Sequence, residues 1–424
     1  MAVVTYERVL APLDAALPGL EALYVDLHRH PELAFAETRT AAELARRLAD
    51  DGFEVHTGVG RTGVVGVLRN GEGPTVLLRA DIDALPVEEK TGLPYASTDH
   101  GVDAEGREVP VMHACGHDMH ATWLSGAAGL LSAARDTWSG TLLAVFQPAE
   151  EGGGGAAVMV RDGVFDLAGK PDFVFGQHLV PGPAGWVLTR PGVIMAASDS
   201  LRITLHGRGG HGSRPETTVD PAVLAASVVL KLQTIVSRET AATEPAVVTV
   251  GSMHVGSTGN VIADDAVLEV NTRAFDNDVL LRVRAAIERI VHGEAAASGA
   301  PKPPEIELTG SYPVTANDEA VSGELTEAFL KHFGPEATMP APLVTGSEDF
   351  SEFGRAAGVP SAFWLVGGFD PHEVITAMTE GRFESDIPSN HSARFAPVLH
   401  PTLRAGVETL VVAALSRMAH PGVE

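Results

Sequence analysis

Short apolar runs rich in β-branched residues, three of them followed by carboxylates or an imidazole, constrain this chain more than any other feature. Val64 to Leu68, Thr75 to Leu78, Thr141 to Phe146 and Phe173 to Phe175 predict strands. The alanine-rich stretch Ala121 to Ala134 falls between two of them and predicts a helix. Helical spacing also marks Leu20 to Leu33 and Thr38 to Asp51, the second stopped by Gly52. Strands alternating with helices imply an α/β class with a mostly parallel sheet. Ligands of such sheets gather beyond the strand ends. The polar clusters Asp81 to Asp83, Gln147 to Glu151 and Gln177-His178 each follow a predicted strand directly, so three strand ends are expected to converge.

The pattern changes near Ala196. A strand at Leu201 to His206, a helix at Pro221 to Glu239, strands at Val247 to His254 and Ala266 to Arg273, a helix at Asn277 to Ser298 and a strand at Glu305 to Thr309 follow in turn. That order is β-α-β-β-α-β, ferredoxin-like. Pro191-Gly192 and Pro301-Lys302-Pro303-Pro304 punctuate its two ends. With 424 residues, the chain exceeds the roughly 250 to 300 at which single cores stop growing. We therefore expect a sheet domain in two parts, residues 1–195 and 311–424, interrupted by an inserted domain at 196–310. The second part contains the apolar run Ser361 to Val366 and an amphipathic helix from about Pro401 to Met418.

Thirty basic against fifty-five acidic residues leave a formal charge of -25. Such a surface repels phosphate backbones and anionic headgroups, so neither nucleic acid nor a membrane is an expected partner. The single cysteine excludes an intrachain disulfide. Met1 to Leu20 contains Glu7 and Asp14 but no basic segment followed by an apolar core, and apolar runs elsewhere are broken by Gly, Pro or charge short of the 18 or so residues that span a bilayer. A cytoplasmic location is expected.

That one cysteine stands in His113-Ala114-Cys115-Gly116-His117-Asp118-Met119-His120. Thiolate and imidazole together suit zinc and its borderline-soft neighbours; the competing reading is a small buried hydrophobe beside surface histidines. Asp81-Ile82-Asp83 ends a strand, and alternation puts its two carboxylates on one side, able to bind metal, to orient a ligand histidine, or merely to cap a loop. Glu150 and Glu151 point in different directions at a strand exit, which permits one to ligate metal while the other addresses a water. The Gly152 to Gly155 run that follows asks for close backbone packing. Gln177-His178 and Ser389-Asn390-His391-Ser392 add one imidazole each. Together Cys115, His117, Glu151, His178 and His391 supply donors for two four-coordinate ions if one ligand bridges and water completes the shells. Gly207-Arg208-Gly209-Gly210-His211-Gly212 has the spacing of a dinucleotide loop, but Ser213 to Thr218 is not a helix start. Those glycines instead free the backbone to project His211, a donor for a developing oxyanion.

These segments resemble a known family. Arg79-Ala-Asp81-Ile-Asp83-Ala-Leu-Pro86, His113-Ala-Cys115-Gly-His117-Asp-Met-His120, Phe146-Gln-Pro-Ala-Glu150-Glu151-Gly, Gly207-Arg-Gly-Gly-His211 and Gly346-Ser-Glu348-Asp349-Phe350 resemble the signatures of the aminoacylase and metallocarboxypeptidase family, in its hippurate hydrolase and auxin-conjugate hydrolase branch. The likeness runs from His28-Arg-His30-Pro31-Glu32-Leu to His391.

The resemblance implies a dinuclear amidohydrolase that cleaves N-acyl amino acids to a carboxylic acid and a free amino acid. It implies two divalent ions per subunit, zinc or manganese with cobalt or nickel as alternatives, and an inserted lid domain that forms a homodimer. Cys115 resembles a bridging thiolate, with Glu151 and His391 on one metal and His117 and His178 on the other. Glu150 resembles the general base that activates water. Other branches read His-x-Asp where this chain has Asp81-Ile82-Asp83, which favours Asp83 as a residue that orients a ligand over Asp81 as a ligand. His211 resembles a lid histidine that reaches the partner's active site, and Asn260 and Arg273 resemble lid residues that hold the substrate's carbonyl or carboxylate. A dipeptidase or carboxypeptidase breaks the same bond and is the alternative within the class. A noncatalytic metal-binding dimer is the alternative outside it, disfavoured because a structural site needs no spare base.

Overall fold

Thr75–Asp81 is buried on both faces from Val76 onward, which is why it reads as a continuous apolar run rather than an alternating one. It sits inside an eight-stranded sheet, in the order Glu54–Val59, Gly63–Asn70, Gly140–Gln147, Thr75–Asp81, Phe173–Pro183, Ser361–Phe369, Val187–Thr189, Thr338–Pro340. The four strands from Gly140–Gln147 to Ser361–Phe369 pair in parallel, and antiparallel pairs flank them. The computed structural model describes residues 6–419, so the first five residues of the stretch read for targeting lie outside it.

Contacts divide the chain into two units, one of Met1–Ile194, Ala316–Pro342 and Asp349–Glu424, the other of Met195–Thr315 and Leu343–Glu348. In the first, helices Leu13–Arg29, His117–Ala133 and Leu399–Met418 pack on one another, and the core includes Trp123, Trp138 and Trp364. Three expectations change here. Helix Leu13–Arg29 starts before Pro18 because Leu13, Leu20, Leu23, Tyr24 and Leu27 form one buried stripe. The strand expected to stop at Phe175 runs to Pro183, paired with Thr75–Asp81 as far as Gly176 and with Ser361–Phe369 beyond it, so Gln177 and His178 lie within it and not after it. The helix at the C-terminal end is buried nearly all round from Leu403 to Leu415 rather than amphipathic.

The second unit has strands Ala197–His206, Ala246–Val255, Asp265–Ala274 and Glu305–Tyr312 with helices Pro221–Thr234 and Asn277–Ala297, in the order β-α-β-β-α-β. The sheet order is Ala246–Val255, Asp265–Ala274, Ala197–His206, Glu305–Tyr312, with every pair antiparallel. Asp220 and Asp276 start the two helices, each accepting a backbone N–H of the first turn. Both helices pack on the face carrying Ala266, Leu268, Val270, Thr272 and Ala274. Asn271 and Arg273 therefore fall on the other face. Pro221–Glu239 is long and apolar enough to cross a membrane by length and composition. Its Leu224, Ala225, Val228 and Leu232 are nonetheless buried in this unit.

Candidate metal centre

Five segments of the first unit bring polar side chains together. Asp81 closes the Thr75–Asp81 strand and Asp83 stands just beyond it, both buried. Cys115 and His117 flank Gly116, whose φ of 88° only glycine adopts readily and whose missing Cβ leaves room for Leu179. His178 comes from the strand beside Thr75–Asp81. His391 enters from a late loop, fixed by its own N–H on Ala114 O and by Asn390, which donates to Cys115 O and Leu179 O.

Glu150 and Glu151 open a short helix after Gly140–Gln147 and the Pro148-Ala149 link. Ala149 has φ 50°, a left-handed conformation that costs a non-glycine residue about 1–2 kcal/mol. Its N–H on a Glu37 carboxylate oxygen at 2.9 Å is worth a comparable ~1.5–3 kcal/mol, enough to hold the turn. In the glycine run the tight packing is at Gly155, where a Cβ would collide with Pro148 O, whereas Gly152 and Gly154 face open space.

Backbone partners fix the histidine tautomers. His117 Nδ1 donates to Asp83 O at 2.9 Å, with Asp83 Oδ1 at 3.2 Å, so in the neutral ring Nε2 carries the lone pair. That Nε2 is buried without a hydrogen bond, 3.9 Å from Glu151 Oε1. His178 Nδ1 donates to Leu179 O at 2.7 Å, which turns its Nε2 lone pair on Cys115 Sγ at 3.5 Å. His391 Nε2 lies 3.1 Å from Glu151 Oε1. Cys115, His117 and Glu151 each offer a donor atom within 4.8 Å of the others.

A second group, Asp81, His117, His120 and His178, is equally close, but its Asp81 and His120 are already spent on hydrogen bonds. His120 accepts from Leu179 N–H at 2.7 Å and donates to Asp81 Oδ1 at 2.5 Å, while Asp81 Oδ2 accepts from Arg79 at 2.8 Å. The orphaned His117 Nε2 and Glu151 Oε1 thus select these two residues and the adjoining Cys115, with His178 and His391 beside them, as the set that fits a cation. Asp83 accepts from the His117 ring and also from Glu151 N–H at 2.9 Å.

The charges agree. Burial opposes protonation of His117, yet Asp81, Asp83 and Glu151 outweigh it and push the ring up to about 10. The pocket holds more negative charge than it can bury alone, so it takes up a proton or a metal ion. Burial, then Glu151, Glu150 and Asp81, push the Cys115 thiol well up, a preference that a bound cation reverses. Burial lowers His178 to about 4, so it is neutral at pH 7 and available as a ligand.

The remaining expected residues belong to the second unit. Gly210-His211 pairs with Val261-Ile262, and Gly212 N–H bonds Asn260 O at 2.8 Å, which makes His211 and Asn260 neighbours. Both are exposed. His211 Nδ1 accepts from Ser213 N–H at 3.1 Å, so Nε2 carries the proton and can donate. The loop opens no α-helix, only a 3-10 turn at Pro215–Thr217. Arg273 is braced by neutral partners: Asn271 Oδ1 at 3.2 Å, Thr345 O at 2.7 Å and Ser347 Oγ at 3.2 Å. A 260 Å³ cavity beside it is lined also by Val236, Pro245, Val247 and Phe275.

Residues 77–387 match peptidase family M20/M25/M40. The chain belongs to that family. It is 40% identical over 333 residues to hippurate hydrolase of Campylobacter jejuni, a match covering 77% of this chain and 82% of that one. It is 36% identical over 374 residues to thermostable carboxypeptidase 1 of Saccharolobus solfataricus, covering 87% and 88%. The crystal structure of the Bacillus subtilis YXEP protein, described as a dinuclear metal binding peptidase from the M20 family, matches with a TM-score of 0.74 at 28% identity, covering 95% of this chain and 98% of that one.

This M20 chain also uses residues that the sequence did not single out. Arg79, wholly buried, donates to Gln147 Oε1 at 2.7 Å, Asp81 Oδ2 at 2.8 Å and Asp349 Oδ1 at 3.1 Å, tying two strand ends to the turn before helix Ser351–Ala357. An arginine between Leu77-Leu78 and Ala80 in an apolar strand was the available signal. Asp349 has a carboxylate oxygen within 4.8 Å of one on Glu150. Asn390 and His120 had motif positions but no assigned role.

Proposed function

We propose that this M20 chain hydrolyses N-acyl amino acids with two divalent metal ions, zinc or manganese with cobalt or nickel as alternatives. The observation that carries the reading is that His117 Nε2 and Glu151 Oε1 are buried without hydrogen-bond partners, beside Cys115, in a pocket of excess negative charge. His117 and His178 would hold one ion, Glu151 and His391 the other, with Cys115 common to both. When bound, the ions supply the Lewis acidity that makes water a nucleophile at neutral pH and polarises the amide carbonyl.

Glu150 is buried beside this set and makes a suitable general base. It takes a proton from the attacking water and returns it to the departing amine nitrogen, releasing carboxylic acid and amino acid. His211 donates a hydrogen bond from its Nε2–H to the carbonyl oxygen as charge grows there. Arg273, charged and held by neutral acceptors, takes the substrate carboxylate, with Asn260 beside His211 as a further polar contact.

The second unit acts as a ferredoxin-like lid and joins two subunits. Supporting this, its outer strand carries Val247 and Met253, 45% and 50% exposed, and helix Pro221–Thr234 carries Val223 and Leu230, 68% and 73% exposed. The likeness to a carboxypeptidase favours a second reading on short peptides. Free amino acid released from N-acetyl, N-benzoyl and indole-acyl substrates, set against dipeptides, with and without added zinc or manganese, decides between them. Cleavage of the N-acyl compounds that vanishes in Glu150→Gln, with metal retained, is the expected outcome; near-normal turnover by that variant refutes the base.

A further inference from the structure

Glu37 is wholly buried and stands where a helix N-cap belongs, yet its side chain makes no bond to its own helix. The open N–H groups of Thr38–Asp50 are served by Glu32, whose two oxygens accept from Arg39 N at 3.0 Å and Thr40 N at 2.8 Å. Glu37 is thereby released for another task. One of its oxygens accepts from Ala149 N–H at 2.9 Å, the other from the Thr62 hydroxyl at 2.5 Å.

The described residues hold four non-glycine residues with positive φ: Phe35, Arg61, Ala149 and His391. Three of them surround Glu37. Phe35 lies two residues before it, Arg61 next to its partner Thr62, and Ala149 is its other partner; the Arg61 guanidinium also lies over the Phe35 ring at 4.2 Å. Backbone strain persists only where neighbours over-determine it, and it clusters where chemistry is done. Ala149 is held at both ends, its N–H by Glu37 and its C=O by Gly155 N–H at 3.0 Å. The next residue is Glu150.

We infer that Glu37 is a positioning residue for Glu150: by holding Ala149 in its left-handed turn, it aims the general base. The inference rests on Glu150 being that base. Glu37 touches no reacting atom; its effect is on turnover and not on substrate affinity. Burial pushes its carboxyl up to about 7, so a neutral amide is a fair substitute for the acceptor.

Steady-state kinetics on the metal-loaded enzyme test this, with metal content and thermal melting measured on the same samples. Glu37→Ala is expected to lower kcat about a hundredfold, with KM and metal stoichiometry unchanged, since a small misplacement of a catalytic group costs that much. Glu37→Gln, which keeps an acceptor for Ala149, is expected to recover most of the loss. If Glu37→Ala does not fold, Thr62→Val carries the test with an expected kcat loss of about fivefold at constant KM. A kcat within twofold of wild type in the folded variant, while Glu150→Gln is inactive, overturns the inference. Equal losses in Glu37→Ala and Glu37→Gln overturn it as well. Activity in Glu150→Gln instead removes the base reading beneath it.

Discussion

The centre in the first unit and the exposed face of the second hold the same kinds of side chain under opposite conditions. His117, His120 and His178 are buried, and a backbone carbonyl or N–H sets the tautomer of each. His211 and Asn260 are exposed on a two-residue ribbon, with one serine as the histidine's partner. A ligand set must be rigid before the ion arrives, because its geometry decides what binds. A group that meets a developing charge can be ordered later, by the substrate or a second subunit. Only Arg273 among the expected second-unit residues is braced on several sides.

The largest expected effect breaks the first region. Cys115→Ser should bind fewer than two metal ions per chain by elemental analysis and lose orders of magnitude in turnover. His120→Gln, at a residue equally buried but with both nitrogens committed to Asp81 and Leu179, should retain both ions. Two ions in Cys115→Ser, or their loss in His120→Gln alone, would mean that the other histidine group is the metal site.

Most of the first region was legible because its motifs are short and local. Cys115-Gly116-His117 announces itself by residue type, and Glu150-Glu151 by its place after a strand. The supports were not legible, for a physical reason. Glu37 meets Ala149 across 112 positions, and Arg79 meets Asp349 across 270. A glutamate at a helix start reads as a cap, and nothing nearby reveals that Glu32 already has that work. His178 was singled out for the wrong local reason, since its strand continues past it to Pro183; pairing with Ser361–Phe369 overrode the polar pair that looked like an end. In the second unit, the strand expected at Ala266 to Arg273 runs over Asp265–Ala274, and alternation along it sets its buried face. The bracing of Arg273 by residues 345 and 347 depends on tertiary structure and left no trace in that pattern.

The second effect sharpens the comparison from the exposed side. His211→Ala should lower kcat about a hundredfold, the range for losing one oxyanion donor, without changing metal content. If His211 serves the neighbouring subunit, the impaired His211→Ala and inactive Glu150→Gln chains should restore activity above that of either alone when mixed, because one of the two sites in a mixed dimer then has both groups intact. No such gain in verified mixed dimers would place His211 within its own subunit's chemistry.

The smallest effect sets one buried ion pair against one open to water. His28 Nδ1 contacts Asp118 at 2.7 Å and its Nε2 contacts Glu89 at 3.1 Å, all three side chains being buried. Burial alone would lower the ring, but its hydrogen bonds to Asp118 and Glu89 prevail and raise it to about 9. A folded value above the ordinary 6.5 means that the charged ring stabilises the fold fully below about pH 6.5, and that this contribution is lost as pH rises through 9. Urea unfolding of the metal-loaded protein between pH 6.5 and 9 should therefore show falling stability, with a slope of at most about 1.4 kcal/mol per pH unit from this group. His28→Gln should be less stable at pH 6.5 and should flatten that slope. His206 pairs with Glu305 at a similar 3.1 Å, but Glu305 is 72% exposed, so His206→Gln should change stability by less than about 1 kcal/mol. Equal slopes in wild type and His28→Gln would show that the imidazole between Asp118 and Glu89 is not where the buried charge resides.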